Sequence, residues 1–377
     1  MMKLRNILFA GLAVVLLATG CSKDDGDGPV GPEANTKINI KIAASSLGTK
    51  ADDDPERLPG ESVLNNVAAI VFSEDGTSLL GEPVWETLTN ADGSATMLNI
   101  PAKTAKAQIL ILANCPENLF DGVSSYAGMQ SKLAHLADQK QNNMTMSTQL
   151  IKTVDALVKD DNYLGYESVG NGNINGISKP VELTRLAARL DLSTITTSFA
   201  GGKLAGRTVR IDEISVGNQK NASHFFSNDY WGAVMADSNL GTSAITAIDR
   251  TVSDNSSLSD VIYRKYVMEN TDANNATQLL IKATILAIPG FGAETKIFAA
   301  TVNLNGVVVV GEKHKYVKRN YVYRIKVNFS GTSFSGDPET VNPDPDPEPP
   351  IVEDDASLDV QVEVVGWGEV NGDYEIE

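Results

Sequence analysis

The sequence is poor in the side chains that most enzymes use. Its 377 residues include two cysteines, three tryptophans and three histidines. Two cysteines allow at most one disulfide, which excludes a disulfide-rich secreted scaffold. His135, His224 and His314 lie far apart and form no His-Glu-x-x-His pair for zinc. No Gly-x-Ser-x-Gly nucleophile elbow is present either, so the sequence predicts no catalytic residue, no metal site and no cofactor.

Basic charge is also scarce: the chain has 31 lysines and arginines but 48 acidic residues, which gives a formal net charge of −17. A nucleic-acid partner would need a basic face, and this balance excludes one. The acidic run Asp52–Asp54 lacks the glycine-turn spacing of a calcium loop and is interpreted as solvated loop charge. A carboxylate pair for glycoside hydrolysis meets in space and not along the chain, so that enzyme class stays open as an alternative.

The first residues have the pattern of an export signal. Lys3 and Arg5 precede an apolar run, Ile7–Ala18, which is too short for a membrane span of about 20 residues. We therefore predict a signal peptide over residues 1–20. The order Leu-Ala-Thr-Gly before Cys21 is similar to the lipobox of bacterial lipoproteins, which makes Cys21 the predicted lipid-attachment site, carrying palmitate. The alternative is an ordinary signal that is cleaved elsewhere.

A lipidated Cys21 could form no disulfide inside the chain, so stability must come from apolar cores. Cys115, the only other cysteine, follows the apolar run Ile109–Ala113. It is predicted to be a small buried hydrophobe.

Period-two alternation of apolar and polar residues dominates the rest of the chain and predicts β-strands. In Lys37–Ile42 the three isoleucines Ile38, Ile40 and Ile42 alternate strictly and would face one core. Further strands are predicted at Val67–Phe72, Ala95–Ile100, Ile109–Ala113, Val181–Leu192, Thr208–Gly217, Leu279–Ile288, Ile297–Val310 and Tyr321–Phe329. Many short strands between turn residues indicate a mainly β fold with Greek-key β-sandwiches in both halves.

Three local features refine this pattern. Apolar residues at helical spacing predict a short helix over Ser125–Gln139 in the N-terminal half. The strand Val181–Leu192 shifts register between Leu183 and Leu186, which predicts a β-bulge. The strand Thr208–Gly217 restarts on a shifted register after Ile211. The chain is long enough for two domains that each bury a core, predicted at 58–180 and 181–377.

The C-terminus combines a stiff spacer with a last strand. The proline-rich part of the spacer 336–355 cannot join a sheet, and Asp337–Pro350 would reach roughly 43 Å at about 3.1 Å per residue. Beyond it the alternation returns and predicts a terminal strand within 356–377. Its predicted contact residues are Leu358, Val360, Val362, Val364 and Trp367.

Taken together, the chain resembles the Bacteroidetes fimbrillin family, whose subunits build adhesive surface fimbriae. The resemblance is carried by the lipoprotein start and by the stretches Val67–Phe72, Leu110–Asn114, Val181–Arg189, Tyr266–Asn270 and the terminal strand ending near Trp367. It implies two transthyretin-like β-sandwich domains. It also implies export as a lipoprotein, followed by a cut in the loop after the first strand by an arginine-specific surface protease.

Two basic residues in that loop are candidate cleavage positions. The family's arginine preference favours the bond between Arg57 and Leu58, and the alternative is the bond between Lys50 and Ala51. Residues 21–57 would then be a lipidated propeptide that carries a removable first strand. The protease partner would be arginine- or lysine-specific.

Removal of the first strand supplies a route to assembly. A sandwich without it exposes apolar side chains and unpaired backbone groups, and a strand from a neighbour can refill the space. Leu358, Val360, Val362 and Val364 would each gain roughly 1.5–3 kcal/mol on burial, before ordering costs. Head-to-tail repetition would build an open fibre. The alternative is that this terminal strand pairs in cis with its own C-terminal domain.

We therefore predict a non-enzymatic stalk subunit of a surface fimbria that supports adhesion and polymerises by protease-triggered donor-strand exchange. Its predicted partners are copies of itself, other fimbrial subunits, the outer membrane through the lipid before processing, and unidentified host or bacterial surface ligands. The predicted location is the cell outer membrane and the fimbrium. The alternatives are a surface-exposed glycan- or protein-binding lipoprotein and a fimbrial anchor or tip subunit.

Overall fold

A computed structural model describes residues 35–44, 58–170, 172–225, 241–309, 312–336, 352–353 and 358–366. Several predicted features lie outside these residues: the signal peptide, Cys21, the proline-rich part of the spacer (337–350), Lys50, Ala51, Arg57 and Trp367. Val352 and Glu353, which were predicted as spacer, form a short strand instead. The described chain is mainly β, as predicted. No helix in it has the length and apolar character needed to span a membrane.

Strands make up most of the regular structure, and they are numbered in chain order. They are β1 (Thr36–Ala44), β2 (Val63–Ser73), β3 (Val84–Asp92), β4 (Ser94–Ala102), β5 (Ala107–Ala113), β6 (Leu133–His135), β7 (Met146–Ser147), β8 (Ile151–Lys152), β9 (Asp160–Leu164), β10 (Val181–Arg185), β11 (Ala187–Ser198), β12 (Thr208–Gly217), β13 (Ala222–His224), β14 (Thr246–Ser253), β15 (Ser257–Leu258), β16 (Tyr263–Met268), β17 (Gln278–Ile285), β18 (Glu294–Thr301), β19 (Val307–Val309), β20 (Glu312–His314), β21 (Tyr321–Ser330), β22 (Val352–Glu353) and β23 (Asp359–Gly366). One α-helix, α1 (Tyr126–Gln130), and short 3-10 turns complete the described elements.

Three large sheets organise these strands. The first has nine strands in the order β3-β2-β5-β7-β10-β1-β4, with β8 paired to β5 and β9 paired to β1. The second follows the order β15-β11-β21-β23, with β16 paired to β11. The third follows the order β14-β12-β17-β18-β22. Two further sheets have two strands each: β13 pairs with β6, and β19 pairs with β20.

The apolar cores follow from the two faces of these sheets. Leu190 and Ile325 on the second sheet share one buried cluster with Ile211 and Ile281 on the third. In the first sheet, alternate residues of β2 and β5 enter two different clusters on opposite faces. This arrangement explains why both strands read as continuous apolar runs. The Greek-key, transthyretin-like and two-domain assignments stay predictions.

The helix predicted over Ser125–Gln139 is much shorter in the structure. The α1 helix begins after Ser125, whose hydroxyl accepts a hydrogen bond from the Gly128 amide, and it ends at Gln130. The following residues leave the helix because β6 pairs with β13. Of the residues at helical spacing, Met129 in the helix and Leu136 after β6 still contact the same core.

The register shift predicted as a bulge near Leu186 has a different cause. The strand breaks there, β10 ends in the first sheet, and β11 continues in the second. The apolar positions shift register because Val181 and Leu183 of β10 face one core, whereas Leu190 and Leu192 of β11 face another. In contrast, the shift in β12 is confirmed, since its pairing with both neighbours slips between Ile211 and Glu213.

Cys115 is buried as predicted, with 3% of its surface exposed. Burial raises the pKa of its thiol to about 12. We expect a Cys21→Ser variant, which keeps Cys115 as its single thiol, to resist Ellman's reagent at mildly alkaline pH while it is folded. Full reaction should follow in concentrated guanidinium chloride, because the unfolded thiol regains its ordinary pKa. Rapid reaction of the folded variant would contradict this burial.

Candidate assembly site

Strand β1 lies inside the first sheet and has neighbours on both sides. It pairs antiparallel with β4 on one side and parallel with β9 and β10 on the other. Ile38, Ile40 and Ile42 are at most 1% exposed and enter one core, which confirms their predicted common face. We call the space that β1 fills between β4 and the pair β9 and β10 the β1 slot.

The start of β1 is fixed by side-chain hydrogen bonds in addition to the ladder. The Thr36 hydroxyl lies 2.5 Å from the carbonyl oxygens of both Val158 and Asp160. The Asn162 side-chain amide donates to the Thr36 hydroxyl at 2.8 Å and to the Lys37 carbonyl at 3.1 Å. These contacts set the position of β1 along the slot.

The middle of β1 carries a polar contact that strict alternation does not predict. Asn39 lies on the face opposite the isoleucines, yet it is only 7% exposed. The pairing of β1 with β4 slips between Ile38 and Ile40, and the backbone amide of Asn99 there donates to the Asn39 side-chain oxygen at 3.0 Å. The Asn39 amide nitrogen donates to Asp161 Oδ1 at 3.3 Å. One side chain thus serves both walls of the slot.

The chain leaves β1 at Ala44 and returns to the described residues at Leu58. Both candidate cleavage bonds fall in or at the edge of the intervening segment, so the predicted cuts after Arg57 and Lys50 stay predictions. Leu58 is half-buried, and its backbone amide donates to Glu61 Oε2 at 2.8 Å.

Glu61 belongs to a buried ion cluster that sequence reasoning missed. Arg189 Nη1 lies 2.8 Å from both of its carboxylate oxygens, and the Tyr266 hydroxyl donates to Oε1 at 2.7 Å. Arg185 Nε donates to the Glu61 carbonyl at 2.9 Å. Burial, reinforced by the bond to Glu61, raises the pKa of Tyr266. The cluster ties the start of the chain after the loop to β11 and β16.

A signal for this cluster was present in the sequence. Arg185 and Arg189 interrupt the apolar alternation of Val181–Leu192, and both belong to a stretch that carried the family resemblance. Charged side chains in a buried strand require partners. Asp191, two residues after Arg189, is a partner that spacing offers, but Glu61 lies too far along the chain for spacing to identify it.

The terminal strand pairs within its own chain in the structure, and its exchange between subunits stays a prediction. Strand β23 pairs antiparallel with β21 at the edge of the second sheet. Leu358 is buried, and Val360 and Val362 pack against the same core. The Val364 side chain and Trp367 lie outside the described residues.

Comparison with known proteins decides the family. Residues 34–185 match the family described as major fimbrial subunit protein (FimA), and residues 186–367 match the C-terminal domain of Fim1C-like fimbrium tip subunits. A protein of Parabacteroides distasonis named as fimbrium tip subunit Fim1C is 42% identical over 372 residues, covering 97% of each chain. The chain belongs to the Bacteroidetes fimbrillin family. It is therefore a fimbrial subunit, as predicted.

Further relatives range from 19% to 41% sequence identity. The major fimbrium subunit FimA type-2 of Porphyromonas gingivalis is 23% identical over 410 residues, 97% of this chain and 98% of that protein. A crystal structure of a cell adhesion protein from P. distasonis superposes with a TM-score of 0.81 at 41% identity, covering 89% of this chain and 98% of that one. A P. gingivalis fimbrilin structure has the same fold, with a TM-score of 0.58 at 19% identity and coverages of 90% and 99%.

Truncation of β1 tests how much the fold depends on it. We expect Ile40→Ala to lower the free energy of unfolding by about 2–5 kcal/mol, because a fully buried side chain leaves a cavity. The matched control is Lys37→Ala on the exposed face of the same strand, with an expected change within about 0.5 kcal/mol. Urea unfolding of the full chain gives both values. Equal losses would mean that β1 is not packed as described.

Breaking an ion pair in the buried cluster should lower stability much more than breaking a partly exposed ion pair. We expect Arg189→Met to cost about 3–5 kcal/mol, because it leaves the buried Glu61 carboxylate without its closest cation. The control is Lys282→Met, which breaks the half-exposed pair with Glu213 and should cost at most about 1 kcal/mol. Denaturant unfolding measures both, and a small loss for Arg189→Met would show that the cluster contributes little.

Proposed function

We propose that this fimbrial subunit is a tip-type subunit: it accepts a strand from the next subunit in the β1 slot and keeps its own terminal strand in cis. The observation that carries the proposal is the contrast between the two strands. Strand β1 has ladder partners on both sides, and it is the strand that the predicted cut would release. Strand β23 instead completes the edge of its own second sheet.

An empty β1 slot would have to be refilled. Loss of β1 would leave unpaired backbone groups on both walls and expose the core that Ile38, Ile40 and Ile42 now close. A strand from a neighbour restores both ladders at once. Processing after Arg57, or after Lys50, is the proposed trigger.

The docked terminal strand supports a position at the end of the fibre. Leu358, Val360 and Val362 pack into the core shared by the second and third sheets, so their release would cost apolar burial at home. A subunit at the tip has one neighbour and needs an acceptor slot but no donor strand. The full-length similarity to a protein named as a tip subunit agrees with this assignment.

A stalk subunit is the second candidate. Strand β23 ends the order of its sheet, so a single ladder with β21 holds it. The sequence also joins it to the body through a proline-rich spacer. Such a strand could leave its own sheet and fill a slot in a neighbour, and donor-strand exchange from one copy to the next would then build the shaft.

The proposal includes the route to the cell surface. A lipid on Cys21 would hold the precursor in the outer membrane until an arginine- or lysine-specific surface protease releases it into the fimbrium. Adhesion to a host or bacterial surface ligand is the proposed role of the assembled fibre.

Immunogold labelling of fimbriae from the native cells separates the two candidates. For a tip subunit we expect one label at the fibre end, whereas labels along the whole shaft would establish the stalk role. Arg57→Ala should abolish incorporation, because the slot stays occupied by β1. Its control, Lys50→Ala, should incorporate normally; the reverse result would place the cut after Lys50.

A further inference from the structure

We propose that the β1 slot selects its occupant by a side-chain amide at the position of Asn39, and that it therefore takes a strand of another subunit in preference to the terminal strand of a second copy. This inference rests on the proposed exchange of β1. It names the chemistry of the partner strand and the residues of the slot that recognise it.

The recognition begins with an irregularity in the wall of the slot. Ile38 pairs with Ile100 and Ile40 pairs with Met97, so β4 has one more residue than β1 at this point. The extra residue gives Asn99 a positive φ of 59°, and its backbone amide meets a side chain where regular pairing would supply a carbonyl. A strand with a side-chain acceptor at the Asn39 position keeps this hydrogen bond, which regular pairing does not supply.

Strand β9, on the other side of the slot, makes a second contact with Asn39. Asp161 on β9 accepts a hydrogen bond from the Asn39 amide nitrogen. An occupant that accepts on the Asn99 side and donates on the Asp161 side makes both of these hydrogen bonds. An asparagine side chain does both, an aspartate would set its carboxylate against that of Asp161, and a leucine would satisfy neither wall.

A third contact fixes where the amide must lie along the partner strand. Thr36 occupies a buried position between the carbonyls of Val158 and Asp160 and accepts from Asn162. Thr36 precedes Asn39 by three residues in the sequence. The slot therefore fits a strand, running in the direction of β1, with a hydroxyl residue followed three residues later by an amide between two apolar residues.

The chain's own terminal strand does not meet this pattern. Placing its apolar residues on the isoleucine positions with Leu358 at Ile38 brings Asp359 to the position of Asn39, where two carboxylates would meet. A shift by a single residue would turn every valine to the wrong face.

A shift by two residues creates a different mismatch. Gln361 then reaches the position of Asn39, but Leu358 falls at the buried position of Thr36, where an apolar side chain would lose the contacts with the Val158 and Asp160 carbonyls. A shift by four residues puts Gly366 at the position of Ile42 and leaves that part of the core empty. Each of these registers thus costs a recognition contact or core packing.

Peptide exchange into the full chain tests the inference. The chain is cut with an arginine-specific protease and incubated with fluorescent peptides, and uptake is measured by size-exclusion chromatography. The probes are the β1 sequence, its Asn39→Leu and Asn39→Asp variants, and the terminal strand of this chain. We expect at least about tenfold weaker uptake of both variants and of the terminal-strand peptide than of the β1 peptide, equivalent to about 1.4 kcal/mol.

A matched change in the slot makes the test specific. Asp161 is solvent-exposed, so Asp161→Asn in the full chain should fold normally. It should restore uptake of the Asn39→Asp peptide while leaving the Asn39→Leu peptide weak. Equal uptake of all peptides would overturn the amide requirement and leave the exchange itself intact. Failure of the cut chain to take up even the β1 peptide would overturn the exchange and this inference together.

Discussion

The backbone pairing of β1 on both sides is the constraint on which the first sheet depends. A strand inside a sheet satisfies donors and acceptors of two neighbours, and nothing in an apolar core can replace it except another strand. Here the same strand also closes a core with Ile38, Ile40 and Ile42 and supplies polar contacts through Thr36 and Asn39. Its hydrogen bonds and its apolar face both make the position specific for a strand.

The ion cluster around Glu61 fixes the part of the chain that follows residues 45–57. Glu61 follows the loop in sequence, and its contacts with Arg185 and Arg189 do not involve β1. The part of the chain that begins at Leu58 therefore has its own attachment to β11. A buried network of this kind specifies one arrangement of its members, because any other arrangement leaves a charge without a partner.

Alternation in the sequence predicted most strands, because the period of two is set locally by the pleat. It placed Ile38, Ile40 and Ile42 on one face and detected the slip in β12. The same pattern does not reveal that Asn39 on the opposite face is buried, since the neighbouring strands cover it. The predicted bulge near Leu186 was a change of sheet, which depends on contacts far along the chain. The Glu61 cluster was missed for the same reason.

The pairing partners of β1 have a consequence for the order in which the protein folds. Thr36 pairs with Asp160 and Ile42 pairs with Val181, so both parallel ladders join residues that are more than a hundred positions apart. Contacts of such long sequence separation carry a high loop-closure entropy and form slowly. Pairing with β4 needs only the chain through Ala102, but β1 gains ladder partners on both sides along its length only once the chain through β10 is present.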